Sequence, residues 1–304
     1  MKKIFIPIAN GFIFPNLLSL IVLGISRHSH MVTDGPLVIF WAEFIILPIL
    51  MGIISAWFWR NTGMGSRALS AYSIYNVLIA VALSFIFLGE GTICLIIVTP
   101  LLMCFIIGGA FTGRAMFRRN NDKLNVSIIV VLIALFAIDA ASKHYYVNEV
   151  SDRIVINAPV AKVWPYVVAY DYNKEKNKYW LFRIGMPSPV QSTVAGYYAG
   201  ADRKCIFSNG YTFDEKIVTY DINHNLTFDV TNQPRDPEIM GHIDILRGQF
   251  LLHDNGNGTT TVTGNSWYRL YVFPAWYYDI WAKSITRNVH LRVMEHIKQL
   301  CEQK

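Results

Sequence analysis

Residues 150–170, VSDRIVINAPVAKVWPYVVAY, divide the chain into two halves with opposite solvent requirements. Upstream, apolar runs follow one another, each near the ~20 residues that a helix needs to cross a hydrocarbon layer. Downstream, short segments of alternating polarity are separated by turn residues and charge. A chain built this way suits lipid with one half and water with the other.

Five apolar runs precede the boundary: residues 4–25, 37–59, 69–88, 92–112 and 124–141. None shows the one-sided polarity of a soluble amphipathic helix. An α-helical transmembrane bundle of about five helices is therefore expected over residues 1–142, with 143–149 as a tether and 150–304 as a second domain. The first run follows Lys2 and Lys3. It contains Pro7 and Pro15, exceeds signal-peptide length and lacks a small-residue cleavage site, so it reads as a retained helix. With the N-terminus inside, alternate loops place Lys2, Lys3, Arg60, Arg67, Arg114, Arg118, Arg119 and Lys123 on the inner side, against Arg27 outside. That asymmetry favours a cytoplasmic N-terminus, and five crossings then put the C-terminal domain outside the cell membrane. If one run fails to span, the domain changes side. The net charge of +6 is accounted for by these loop cations, so nucleic acid is not an expected partner.

Polar residues inside the runs have two readings. Glu43 could bind an ion or relay a proton, or it could be satisfied within the bundle or at the interface. Asn10, Asn16 and Asn76 suit hydrogen bonds between helices. Gly109 and Gly113, four apart, suit close helix approach, and their face is a candidate homo-oligomer contact.

In the second half, residues 152–157 alternate as a strand, and Asn157-Ala158-Pro159 opens a helix whose apolar face carries Val160, Val163, Trp164 and Val167. Strands are expected at 204–208, 211–220, 226–231, 248–253 and 259–272. Asn209-Gly210 and the run 254–258 (DNGNG) supply turns. A long helix follows over 275–301. Its apolar residues Tyr277, Trp281, Ile285, Val289, Val293, Ile297 and Leu300 are read as one face, with Lys283, Arg287 and His290 on another. This is an α+β arrangement: an antiparallel sheet, one short helix and a long closing helix.

The run IVINAPVAKVWPYV resembles the opening of the START-like (SRPBCC, polyketide cyclase and lipid-transport) superfamily, through Asn157, Ala158, Pro159, Val163 and Trp164. YTFDEKIVTYDINHNLTFDV and DNGNGTTTVTGNSWY resemble its central strand pair and penultimate hairpin. The resemblance spans about residues 150–302. It implies a helix-grip fold, with a curved sheet wrapped on the C-terminal helix, and a hydrophobic ligand between them. It does not imply which ligand, and it does not extend to the preceding helices.

No GxSxG, HExxH, phosphate loop or dinucleotide fingerprint is present, so no cofactor or metal is expected. Cys94, Cys104, Cys205 and Cys301 have no metal spacing; Cys205 and Cys301 read as small apolar residues, with a disulfide as the alternative. Trp164, Asp214, His242, Trp267, Tyr277 and Trp281 are the candidate ligand-binding residues. Arg203, Glu215, Asp244 and Arg269 are further polar groups that either face the interior or lie on the outside of the sheet. Three functions stand together: a membrane-tethered binding or transfer module for a lipid or other apolar ligand, a cyclase-like enzyme on such a ligand, and a structural or regulatory protein using the domain for partner contact.

Overall fold

The computed structural model describes residues 2–32, 42–117, 145–234, 242–272 and 274–303. The chain forms two compact units, Met1–His144 with Tyr271–Pro274, and Tyr145–Leu270 with Ala275–Lys304.

The first unit is helical. It contains α1 (Lys2–Val32), a π-helical turn (Ala42–Ile46) leading into α2 (Leu47–Trp59), α3 (Ser66–Leu83) with a π-helical extension (Ser84–Leu88), and α4 (Thr92–Phe117). Among the described residues, three segments are long and apolar enough to cross a membrane: Phe5–Ile25, Ser66–Leu88 and Thr92–Phe117. Phe44–Trp59 is apolar but shorter. The expected fifth run, 124–141, lies outside the described residues, as does the start of the second.

Small residues bring α2 and α4 together. A Cβ on Gly52 would lie 2.2 Å from the Ile106 carbonyl oxygen, and one on Gly109 would lie 2.2 Å from that of Ile49. Gly113 sits against Ile53 and Ala56. The Gly109/Gly113 face, expected to serve a homo-oligomer, is thus occupied by α2 of the same chain. The polar residues join helices as expected. Asn16 donates to the Asn76 side-chain oxygen, Asn76 donates to the Ser55 hydroxyl (2.8 Å), and that hydroxyl lies 2.9 Å from the Gly11 carbonyl. α1, α2 and α3 are linked through buried groups, while Phe5, Ile13, Leu17, Ile21, Leu78 and Phe85 point outward. Polar inside and apolar outside is the order that lipid demands.

The second unit is one antiparallel sheet of seven strands. They are β1 (Tyr146–Ile156), β2 (Pro189–Val194), β3 (Asp202–Phe207), β4 (Thr212–Asp221), β5 (Asn225–Asn232), β6 (Ile243–Asp254) and β7 (Thr260–Leu270). The spatial order is β1-β7-β6-β5-β4-β3-β2. Short helices α5 (Val160–Val168) and α6 (Trp180–Arg183) lie between β1 and β2, and α7 (Ala275–Glu302) closes the unit. This is the helix-grip form. Two differences from expectation stand out. β2 was not anticipated. β1 begins at Tyr146, inside the expected 143–149 tether, because Tyr146 to Glu149 pair with Leu270 to Trp267.

The core fills one end of the grip. Ile156, Val163, Trp164, Val167, Leu226, Phe250, Val262, Met294 and Ile297 form a contiguous buried cluster. Burying aliphatic and aromatic side chains of this size stabilises a fold by ~1.5–3 kcal/mol each. Loop ends are tied to it: Thr260 Oγ1 donates to the Ala158 carbonyl (2.8 Å), and the Asn157 amide donates to Glu302 (2.7 Å).

The stripe predicted on α7 is corrected. Steps of four residues advance about 40° beyond a full turn each time, so the stripe winds round the helix. Val293 and Ile297 reach the core, but Trp281 lies at the side against Trp180, with ring centroids 6.4 Å apart. The buried line is instead Tyr278, Ala282, Thr286, His290, Val293, Met294, Ile297 and Cys301. No disulfide joins any of the four cysteines.

Candidate ligand site in the helix-grip unit

Strand register decides which side chains face α7. In β1, β7 and the first part of β5, alternation places Asn148, Asp152, Ile156, Ser266, Tyr268, Leu226 and Phe228 on the concave side. The β4–β5 pairing has two irregularities: Thr231 of β5 is skipped between the Asp214 and Glu215 pairs, and Val218 of β4 is skipped between the Ile217 and Thr219 pairs. Ordinary alternation along β4 puts two adjacent acids on opposite faces. Glu215 turns inward opposite Arg203, while Asp214 remains partly exposed with Lys204 and Asn232.

Arg203 and Glu215 are 3% and 5% exposed and form a buried ion pair. Arg203 Nε also donates to the Val168 carbonyl (3.0 Å), and the guanidinium lies 4.4 Å from the Phe228 ring centroid. Burial pushes the Glu215 carboxyl up, against the pull of the adjacent guanidinium. Two neighbours complete the cluster. Burial pushes the Cys205 thiol up to about 12, with the Glu215 charge adding to it. Tyr170 is 4% exposed, its amide reaches Ser192 Oγ (3.2 Å), and its buried hydroxyl makes no well-formed hydrogen bond. Burial, with Cys205 alongside adding to it, holds that hydroxyl well above the usual tyrosine range. Tyr170 and Cys205 therefore stay protonated at neutral pH and present neutral donors.

A second polar group lies under α7 on the same face, at the β1–β7 end of the sheet. His290 Nε2 is 2.7 Å from Ser266 Oγ, and His290 Nδ1 is 3.0 Å from Asp152 Oδ2. Arg287 approaches the other Asp152 oxygen at 3.4 Å. Burial lowers the His290 pKa, opposed by Asp152, so the ring is neutral at pH 7. The contacts then assign its protons: Nδ1–H donates to Asp152 and Nε2 accepts from Ser266. About three turns earlier on α7, Asp279 accepts from Asn148 (2.9 Å), Tyr268 (2.5 Å) and Lys283 (2.8 Å). Burial works against that carboxylate, but the donors, Lys283 foremost, hold its pKa down.

Beyond these polar groups the concave face changes. Cys205, Phe213, Val230, Ile243 and Ile245, with Ile285 and Val289 on α7, are half-buried and lie outside the packed cluster. The grip therefore has a closed apolar end, a polar middle and an accessible apolar end. That order suits a ligand with an apolar body and one polar group.

The six predicted ligand residues are not brought together. Trp164 is in the packed core and donates to the Tyr220 hydroxyl (3.3 Å). Asp214 is on the outer side of β4. Trp267 is opposite Glu149 and Arg247, also on the outer side. His242 immediately precedes β6 and is half-buried. Tyr277 stacks edge-on with Tyr278, and Trp281 packs at the α6 edge. Of the further polar groups, Arg203 and Glu215 do face inward. Asp152, Tyr170, Ser266 and His290 were not identified as site residues. Their contacts span up to 138 residues, and no local motif marks them.

No protein-family model matches the chain, and no curated protein matches it. Among solved structures, truncated norcoclaurine synthase from Thalictrum flavum is similar at 12% identity, over 54% of this chain and 99% of that one, with a TM-score of 0.38. A START superfamily protein from Mycobacterium smegmatis is similar at 10% identity, over 53% and 99%, with a TM-score of 0.35. A protein from Mesorhizobium loti is similar at 14%, over 50% and 96%, with a TM-score of 0.34. Likeness at these values says nothing about ligand or reaction.

Proposed function

We propose that this chain is a multi-pass membrane protein whose helix-grip unit binds a lipid or other apolar small molecule bearing one polar group. The observation that carries the reading is the unfinished packing of the grip. Val230, Ile245, Ile285 and Val289 lie next to a closed core yet remain half-buried. Burying such side chains against a ligand would recover ~25 cal/mol per Å² of apolar surface. The ligand's polar group would meet the Tyr170 hydroxyl, whose hydrogen bond is otherwise unmade. The membrane reading is supported by three apolar helices of spanning length and by the loop-cation asymmetry. It places the N-terminus in the cytoplasm and the grip unit outside.

The test is lipidomic mass spectrometry of the full chain purified in mild detergent, beside Val230→Trp and Val289→Trp variants that fill the grip. A bound apolar species in the wild-type chain, lost from both variants, is the expected result. An empty wild-type chain would exclude the binding reading and favour a role in partner contact.

A second reading is favoured by the Asp152–His290–Ser266 chain. A neutral imidazole oriented by a carboxylate has the form of a general base, so the grip would then transform its ligand. His290→Gln should abolish turnover while ligand is still retained; loss of both together would leave binding alone.

A further inference from the structure

A separate site lies in the helical unit. At the end of α2 and α4, Ala56, Trp59, Leu69 and Phe117 wall a cavity of about 190 Å³ that also receives Arg60 and Arg114. Arg114 Nη1 is buried and has no hydrogen-bond partner among the described residues. Arg60 is fixed at the rim: it donates to the Trp57 carbonyl (2.8 Å), and its guanidinium stacks 4.2 Å from the Trp57 ring centroid. No lining residue is a carboxylate.

Arg114 as a whole is half-buried, and Nη1 is its buried atom. A buried guanidinium N–H without a partner is unfavourable, and the described lining supplies no counter-charge. Among the described residues nothing meets this donor, so an anion from outside the chain can take it. Guanidinium forks match phosphate geometry. At ~30 Å³ per water, the volume corresponds to about six waters, room for a phosphodiester and the first carbons attached to it. The aromatic and aliphatic walls suit those carbons and do not suit a fully hydrated ion.

We propose that this cavity binds the phosphate of an anionic phospholipid, gripped between Arg60 and Arg114, with the adjoining glycerol against Trp59 and Phe117. The proposal rests on the reading of this unit as membrane-spanning. Basic cavities at the cytoplasmic ends of helices meet anionic headgroups there, and the loop cations assign this end to that side.

The experiment uses the full chain in nanodiscs of phosphatidylcholine with or without phosphatidylglycerol, followed by native mass spectrometry after release into detergent. Wild type is expected to retain phosphatidylglycerol over phosphatidylcholine by about tenfold, and Arg114→Gln to lose that preference. Arg60→Gln, at the exposed rim, guards against misfolding of the first variant and should lose much of the preference. Equal retention of the two lipids by wild type, or unchanged preference in both variants, would overturn the proposal. Inorganic phosphate at 100-fold excess over the lipid should not displace it; full displacement would assign the site to the free ion and overturn the lipid assignment. Alkaline carbonate extraction separates the two levels. Release of the chain from membranes would overturn the membrane reading itself, whereas a membrane-retained chain without lipid preference overturns the cavity assignment alone.

Discussion

Replacing Glu215 with leucine should be far more damaging than removing both members of its ion pair. In Glu215→Leu, Arg203 keeps its charge at 3% exposure and loses its carboxylate. Breaking one side of a buried pair costs ~3–5 kcal/mol, whereas replacing both sides with apolar groups of similar volume is often neutral or better. Arg203 also holds the Val168 carbonyl, so the Arg203→Met/Glu215→Leu double variant should lose ~1 kcal/mol for that bond. In a unit of this size 1 kcal/mol shifts Tm by ~2–4 °C, so the single variant should melt ~6–20 °C lower and the double within ~5 °C of wild type. Cys205 supplies a local reporter. Its thiol is half-buried on β3 and pushed up to about 12 by burial, so alkylation should be slow in the folded sheet and rise as the sheet opens. Pulsed alkylation along a temperature ramp, read by peptide mass spectrometry at Cys205, follows this unit separately from the helical one. A single variant within ~1 kcal/mol of wild type, or a double variant no better than the single, would refute the argument that the pair is held together by mutual neutralisation in a dry interior.

His290 makes the unit acid-sensitive. Its folded pKa lies below that of the unfolded chain, so its contribution is complete above the ordinary histidine pKa near 6.5. That contribution falls as pH drops below that value and levels off below the folded pKa, because the unfolded state takes up the proton first. Cys205 alkylation between pH 5 and 7.5, corrected for thiolate content, should show this fall in wild type and a reduced one in His290→Gln. Gly109→Leu should prevent α2 from packing on α4, since even a Cβ would meet the Ile49 carbonyl at 2.2 Å; loss of monodisperse protein in detergent is expected. Asn76→Leu should cost ~1 kcal/mol, read by thermal aggregation in detergent, because it breaks the Asn16 and Ser55 links together. An extracytoplasmic reporter fused after Lys304 should be active if the grip unit lies outside; activity confined to a cytoplasmic reporter would reverse the orientation.

Much of the fold was legible because its signals are local. Asn157-Ala158-Pro159 opens α5, Asn209-Gly210 and Asp254 to Gly258 turn two hairpins, and α7 covers its expected span. The site was less legible. Which side of a strand a residue faces is a count of parity, and that count has no starting point until β4 is paired with β3, which sets Glu215 against Arg203 and Asp214 against Lys204. The outward acid was therefore favoured with no sign that its neighbour was the buried one. The polar contacts of α7 were hidden for another reason: Asp152, Ser266 and His290 become partners only through strand pairing and helix docking. On α7 itself, constant four-residue spacing looked like a face although it drifts round the helix.

The pairing of β1 also has a consequence in time. Ile156 pairs with Thr260 and Tyr146 with Leu270, so β1 waits for more than a hundred residues of synthesis before its partner exists. At ~5–20 residues per second that is roughly 5–20 s. When β7 arrives, β1 joins as an edge strand with a single neighbour. A slip of two residues would preserve the inward alternation, yet it would set Val150 or Ile154 against His290, and Tyr146 or Val150 against Asp279. Each misplaced register would leave buried polar groups on α7 without partners. Asn148 and Asp152 thus act as a proofreading key: they reward one alignment of a late-closing strand and penalise its nearest competitors.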